Sequence, residues 1–176
     1  YEHLIHQLLN QKQPWETVNR GVDGFTLNRV LESLRHNFPE KNPDIITLLI
    51  GINDVGLWMA NPSIPLFHQA AQFRLNLTRL LKLLSRNTAS VYVLEPFVFP
   101  HPAEYLNWFE PLAAISQIME ELCQTYQAKF IPLHQSFNHL ASQVGYPLLT
   151  TDGIHLTAVG HRIIAAKLME YFENPA

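Results

Sequence analysis

Short β-branched runs alternate along this chain with longer segments of helical periodicity. The runs predict strands at Thr17–Asn19, Asp44–Gly51, Ser90–Glu95 and Lys129–Leu133. The middle two are apolar at nearly every position, as expected of strands buried on both faces. The alternation predicts an α/β fold, a parallel sheet covered by helices on both faces. Active-site groups then belong on the loops at the carboxyl ends of the strands.

Apolar residues at helical spacing predict helices between and around these strands. The first helix is expected to end near Asn10, and the last to run from about Ala158 to Phe172 with Thr157 as its N-cap. Three further helices are predicted over 27–34, 73–84 and 114–122. Proline-rich pieces at 61–65 and 96–102 read as loops, so residues 1–176 are expected to form one domain.

Composition excludes several classes of protein. The 176 residues are 47% hydrophobic, which suffices for one core. The net charge of −3 does not suit binding to a nucleic acid backbone. No apolar run is long enough to span a membrane. The single cysteine, Cys123, cannot form an intramolecular disulfide, which favours a cytoplasmic location, although a leader before Tyr1 stays open. Nothing in the sequence specifies the oligomeric state.

Polar residues gather in three of the predicted loops. The first loop contains Gly24, the second is Gly51-Ile52-Asn53-Asp54, and the third is Asp152-Gly153-Ile154-His155. Taken singly, these are a turn, a helix cap and a loop histidine. An aspartate three residues before a histidine can also accept a hydrogen bond from one ring nitrogen and leave the other to act as a base.

In combination the three loops resemble the motif blocks of the SGNH, or GDSL, hydrolase family. Gly24 matches the family's glycine position, residues 51–54 match its Gly-x-Asn-Asp block, and Asp152 with His155 matches its Asp-x-x-His block. Residues 156–161 resemble the usual continuation of that block.

The resemblance implies a three-layer α/β/α sandwich with a flavodoxin-like parallel sheet of strand order 2-1-3-4-5. It also implies that the protein hydrolyses carboxylic esters or thioesters, that its substrates are small molecules, and that it needs no metal or organic cofactor. His155 is then the general base, Asp152 orients it, and Gly24 with Asn53 forms the oxyanion hole. Asp54 braces the turn.

The family's nucleophilic serine is missing from this sequence. It lies in a Gly-Asp-Ser-Leu-like block after the first strand, and no Gly-Asp-Ser occurs here. The implied strand order makes that first strand central, and an empty central slot would orphan about five or six backbone pairs at about 1–3 kcal/mol each. Because a native domain is stable by only about 5–15 kcal/mol, we expect a segment before Tyr1 to fill the slot and carry the serine.

Three alternatives remain open. Ser136 follows the last predicted strand and could be the nucleophile, although its ordinary role would be the N-cap of a short helix. The chain could be a non-catalytic binding module that kept the sheet and lost the serine. A metal hydrolase using Asp152, His155 and His161 is the weakest of the three.

Two predicted loops, Val55–Leu66 and Phe97–Pro111, could shape the acyl site. They carry Trp58, Met59, Phe99, Tyr105, Trp108 and Phe109. These side chains either line an apolar pocket or pack beneath the loops.

Overall fold

The computed structural model describes residues 2–10, 15–37, 43–86 and 88–173, which form a small parallel sheet flanked by helices. The strands are β1 (Ile45–Leu49), β2 (Ser90–Leu94) and β3 (Lys129–Ile131). The α-helices are α1 (Glu2–Asn10), α2 (Leu27–His36), α3 (Ile52–Ala60), α4 (Leu66–Leu84), α5 (Phe109–Thr125), α6 (His134–Val144), α7 (Tyr146–Leu149) and α8 (Ala158–Glu173). A 3₁₀ helix spans Ala103–Trp108.

The three strands pair in the order β1-β2-β3, and both pairings are parallel. Each strand is shorter than the run that predicted it. Strand β1, for example, ends at Leu49, before Gly51. The strand predicted at Thr17–Asn19 is wrong. These residues are exposed, and none of the three described strands pairs with them. A short run without a partner strand does not form a strand.

Alternate residues of β2 face two separate cores. Val91 and Val93 belong to a core packed under α2, α4 and α5. Tyr92 and Leu94 belong to a second core, against α1, α6 and α8. Burial on both faces explains the continuous apolar sequence of β2. The result is the expected arrangement of helices, sheet and helices.

Helices α1, α2 and α8 agree with the bounds that apolar spacing predicts, whereas α4 and α5 begin seven and five residues before the predicted 73 and 114. In α8 the predicted cap is present, since the Gly160 N–H donates to Thr157 Oγ1 at 3.2 Å. The predicted loop at 55–66 is wrong in its first half, where α3 continues to Ala60. Helix α3 can start directly after β1 because Gly51 turns the chain with φ 115°. The predicted loop at 97–111 likewise contains the 3₁₀ helix and the start of α5.

None of the helices in the described residues is long and apolar enough to cross a membrane.

Candidate active site

The Asp152-Gly153-Ile154-His155 segment forms a tight loop just before α8. Oδ2 of Asp152 lies 2.6 Å from Nδ1 of His155, while Oδ1 accepts the backbone N–H groups of Ile154 and His155 at 2.9 and 2.7 Å. Both carboxylate oxygens are therefore used to fix the loop and the imidazole. The two side chains remain accessible, with 66% of His155 and 50% of Asp152 exposed.

These contacts set the ionisation of Asp152. Partial desolvation acts to raise its pKa, but the hydrogen bonds from the His155 ring and from the backbone outweigh it and lower the pKa from 3.8 to about 2. The carboxylate is thus charged at neutral pH. A charged carboxylate on Nδ1 holds the proton on that nitrogen and leaves Nε2 as the basic atom.

The backbone of this loop is held by its neighbours. The Thr150 hydroxyl donates to the His155 carbonyl at 2.8 Å and accepts the Gly153 N–H at 2.8 Å. The Phe99 N–H donates to the Gly153 carbonyl at 2.8 Å, which ties the loop to the chain after β2. Gly153 has φ 95°, a left-handed conformation that favours glycine.

Asn53 and Asp54, in the first turn of α3, hold the segment after Gly24. The Asn53 amide donates to the Phe25 carbonyl at 2.9 Å. The Asp54 carboxylate accepts the Leu27 N–H, at 3.0 Å from Oδ2 and 3.3 Å from Oδ1. Two successive side chains thereby position the backbone on either side of Thr26, which fixes Asn53 relative to the glycine turn.

Asp54 caps the N-terminus of α2 although it belongs to a different helix, α3. Thr26, the N-cap of α2, makes no side-chain cap bond in the described structure, and Asp54 accepts the first N–H of that helix instead. Burial raises the pKa of Asp54 to about 6, and the Leu27 N–H only partly offsets that effect. The structure thus agrees with a bracing role for this residue.

Gly24 and Asn53 line one cleft of about 270 Å³ together with Gly56, Leu57, Trp108 and Ile154. Gly24 has φ 73°, and a Cβ built on it would meet no atom within 4 Å. Ile154 immediately precedes His155 in the chain. The structure therefore brings residues of all three predicted polar loops to one cleft: Gly24 and Asn53 lie in its wall, and so does Ile154 of the loop that carries Asp152 and His155.

The aromatic residues of the two predicted loops divide between lining and packing. Trp108 lines the cleft, whereas Phe99 is fully buried and Trp58 packs edge-on against Phe73 in the core. Phe109 contacts the ring of His134 with the centroids 4.8 Å apart, and Met59 packs on the core.

The alternative site residues lie in ordinary surroundings. Ser136 is not the predicted N-cap, because α6 begins two residues earlier at His134 and its cap is Leu133. The Ser136 hydroxyl donates to the Leu133 carbonyl at 2.9 Å. Among the described residues, no group of three His, Cys, Asp or Glu side chains could hold a metal ion, so Asp152, His155 and His161 do not form such a group.

Sequence reasoning missed the part played by Gly56 and Gly153. A Cβ on Gly56 would lie 3.3 Å from the Trp108 ring, and one on Gly153 would lie 2.7 Å from the Tyr105 ring. Both glycines lie in segments that the sequence predicts as loops, where a glycine is ordinary and gives no signal of a close contact. Their aromatic partners follow from no local pattern.

Comparison with known proteins identifies the family and the fold of this chain. The family model described as GDSL-like lipase/acylhydrolase matches residues 1–163. No curated protein sequence matches the chain.

Several solved structures share the fold at low sequence identity. The acetyl xylan esterase AlAXEase has a TM-score of 0.83 and 21% identity, covering 97% of this chain and 89% of that one. An alpha/beta hydrolase enzyme from the metagenome of Lake Arreo, Spain, has a TM-score of 0.79 and 17% identity, covering 96% and 77%. An acetylxylan esterase from Geobacillus stearothermophilus has a TM-score of 0.80 and 17% identity, covering 94% and 76%.

Two solved forms of the Geobacillus esterase are catalytic mutants, one with alanine in place of an aspartate and one with alanine in place of a serine. The match of the family model over nearly the whole chain is decisive for classification. The chain belongs to the GDSL-like lipase/acylhydrolase family.

Proposed function

We propose that this protein is a serine esterase that hydrolyses carboxylic esters through an acyl-enzyme. The observation that carries the proposal is the Asp152–His155 pair, joined at 2.6 Å, in a loop whose Ile154 lines the same cleft as Gly24 and Asn53. A base with a fixed tautomer next to two hydrogen-bond donors is what acyl transfer requires.

His155 would move the proton in each half of the reaction. Nε2 accepts the proton of the serine hydroxyl as Oγ bonds to the ester carbonyl carbon, and returns it to the alcohol as the carbon–oxygen ester bond breaks. A water molecule then attacks the acyl-enzyme by the same route, which releases the acid and restores the serine. Asp152 stabilises the imidazolium that forms in each step.

Asn53 and Gly24 would stabilise the oxyanion. The Asn53 amide has two N–H bonds, and the one donated to the Phe25 carbonyl fixes the orientation of the other. The Gly24 N–H is a second donor in the same cleft wall. Because both are positioned before substrate binds, they need little rearrangement as charge develops on the carbonyl oxygen.

The nucleophile would come from a segment N-terminal to Tyr1 that pairs with the outer edge of β1. The residues of β1 are all half-buried, whereas four of the five residues of β2 are buried, so β1 is only partly covered. A strand added there would end beside Gly51 and the cleft. The catalytic serine mutant of the Geobacillus esterase, which has the same fold, supports a serine nucleophile here.

The ester function is also supported by the acetyl xylan esterases among the similar structures. For this chain they suggest acetyl esters of carbohydrates as the first natural substrates to test.

The test uses the full gene product, including the residues before Tyr1. It should hydrolyse a short-chain aryl ester and be labelled by a fluorophosphonate, which reacts with activated serines. His155→Ala should abolish labelling and lower kcat by at least about 10³-fold, because the hydroxyl then lacks its base. His139→Ala, on the exposed surface of α6, is the matched control and should behave like wild type.

The labelled peptide identifies the nucleophile. Label on a serine before Tyr1 agrees with the proposal, whereas label on Ser136 contradicts the assignment. A protein that neither reacts with the probe nor cleaves any ester would be the non-catalytic binding module.

A further inference from the structure

The indole of Trp108 rests directly on the backbone of α3 at Gly56. A Cβ at position 56 would lie 3.3 Å from Cη2 and 3.6 Å from Cζ3 of the ring, closer than side chains normally pack. A Cβ at this position would push the ring away from the helix by a few tenths of an ångström. The side chain at position 56 therefore decides how far Trp108 reaches into the cleft.

The cleft has a polar side and an apolar side. Gly24, Thr26 and Asn53 supply the polar groups, and the remaining wall consists of Ile52, Gly56, Leu57, Trp108 and Ile154. If the ester carbonyl oxygen lies between Gly24 and Asn53, the carbon chain next to it faces the apolar wall. The volume of about 270 Å³ is below that of pockets that hold drug-sized ligands, which start at about 300 Å³.

The opposite side of the reaction centre is open. His155, which must protonate the departing alcohol, is two-thirds exposed. The alcohol part of the ester thus leaves toward solvent, where nothing in the described structure limits its size. Selection between esters falls on the acyl group.

We propose that Trp108, seated on Gly56, is the specificity-determining wall that restricts the acyl group to short apolar chains. This inference rests on the proposed esterase function and adds the class of acyl group. Trp108 is itself held in place, because the Tyr105 ring contacts it edge-on with the centroids 4.8 Å apart and lies against Gly153. A wall supported on two sides cannot move aside easily for a longer chain.

The experiment compares aryl acetate, butyrate and octanoate as substrates of the full gene product. Wild type should favour acetate over octanoate in kcat/KM by at least about tenfold, since a methylene that fits or fails to fit a pocket changes kcat/KM by about 10–200-fold. Trp108→Leu should raise the octanoate-to-acetate ratio by about tenfold or more. Gly56→Ala should move the ring into the cleft and lower the butyrate-to-acetate ratio by about threefold.

Gly56→Ala should also fold, because alanine is more favourable than glycine in the interior of a helix. Leu106→Ala is the matched control. This residue lies on the same 3₁₀ helix as Trp108, but its side chain is exposed and does not line the cleft. Its chain-length profile should stay within about twofold of wild type, as for other surface changes.

Two results would overturn the inference while leaving the esterase function intact. One is a wild-type enzyme that cleaves octanoate as well as acetate. The other is an unchanged chain-length profile in both Trp108→Leu and Gly56→Ala. Complete lack of ester hydrolysis by wild type would instead contradict the proposed function, and this inference with it.

Discussion

The ring of Tyr105 occupies the space that a side chain on Gly153 would need, with Cδ2 2.7 Å from the position of a Cβ there. Trp108, three residues later, packs closely on Gly56 of α3, where a Cβ would lie 3.3 Å from its ring. The 3₁₀ helix that carries both rings thus touches the loop of Asp152 and His155 at one point and the helix of Asn53 at another. Through these contacts it sets the spacing between the proposed base and the proposed oxyanion donor.

Replacing Gly153 with alanine should damage both stability and activity. The new Cβ would collide with the Tyr105 ring and the His101 carbonyl, and φ 95° is strained for any L side chain. We expect a loss of about 1–3 kcal/mol in the free energy of unfolding. Because the collision displaces the loop of His155, kcat should also fall. Urea unfolding and aryl ester hydrolysis measure the two effects.

Gly145→Ala separates steric collision from backbone strain. Gly145 has φ 90°, but a Cβ there would meet only Pro147 Cδ, at an ordinary 3.9 Å. This variant should lose stability from strain alone and keep the wild-type kcat. Equal losses of kcat in the two variants would show that the contact with Tyr105 does not position the catalytic loop.

The sequence predicts the parts of this protein that local patterns determine. Continuous apolar runs indicate β1 and β2, because strands buried on both faces carry apolar residues at every position. The predicted strand at Thr17–Asn19 is wrong, because a three-residue run forms a strand only where a neighbouring strand pairs with it. Helix α3 was missed because its start depends on the left-handed turn at Gly51, and the flanking polar residues resemble a loop.

The same distinction holds for the candidate site. The short spacing between Asp152 and His155 makes their contact predictable, since three residues of loop keep them within reach. The contacts of Asp54 with Leu27 and of Trp108 with Gly56 join residues 27 and 52 positions apart in sequence (54 − 27 and 108 − 56). Nothing in either local sequence specifies its distant partner.

Asn53→Ala should lower kcat by about 10²–10³-fold and leave KM nearly unchanged, because an oxyanion donor acts mainly on charge that appears in the transition state. Steady-state kinetics with an aryl ester measure both constants. Asn28→Ala is the control, since that asparagine donates to Glu32 on the exposed surface of α2. An increase in KM at constant kcat would instead assign Asn53 to ground-state binding.

Asp152→Asn tests whether the negative charge of the aspartate, rather than a hydrogen bond alone, is needed to orient His155. An amide lacks the negative charge that favours the proton on Nδ1, so kcat should fall by about 10³–10⁴-fold even if the loop keeps its shape. The matched control is Glu104→Gln, a charge removal in the first turn of the 3₁₀ helix. A kcat within tenfold of wild type for Asp152→Asn would exclude the aspartate from the catalytic mechanism.

Asp152 should also make the stability of the protein depend on pH under acidic conditions. Its pKa is lowered from 3.8 to about 2 in the folded protein, so its carboxylate stabilises the fold above pH 4. That contribution is lost as the pH falls from about 4 toward 2. The difference in Tm between wild type and Asp152→Asn should therefore shrink over this interval, and a constant difference would show that the folded pKa is not lowered.

Asp54 should show the opposite dependence. Burial raises its folded pKa from 3.8 to about 6, so it contributes stability below pH 4 that is lost as the pH rises through 6. A shift of this size corresponds to about 3 kcal/mol between the charged and neutral forms. Asp54→Asn removes the charge, and its amide oxygen can still accept the Leu27 N–H. As the pH rises from 4 to 8, the free energy of unfolding of Asp54→Asn should therefore increase by about 1–3 kcal/mol relative to that of wild type.

Asp54→Ala completes the comparison, because it removes the charge and the acceptor together. The Leu27 N–H is the first of α2 and belongs to a fully buried residue, so without a partner it should lower the free energy of unfolding by about 1–3 kcal/mol relative to Asp54→Asn. Urea unfolding of wild type and both variants at pH 4 and pH 8 measures all of these differences. If the two variants have equal stability, the bond to Leu27 does not hold α2. If Asp54→Asn and wild type have the same free energy of unfolding at both pH values, burial does not destabilise the charged carboxylate. The hydrogen bonds that hold residues 25–27 are then independent of the charge on Asp54.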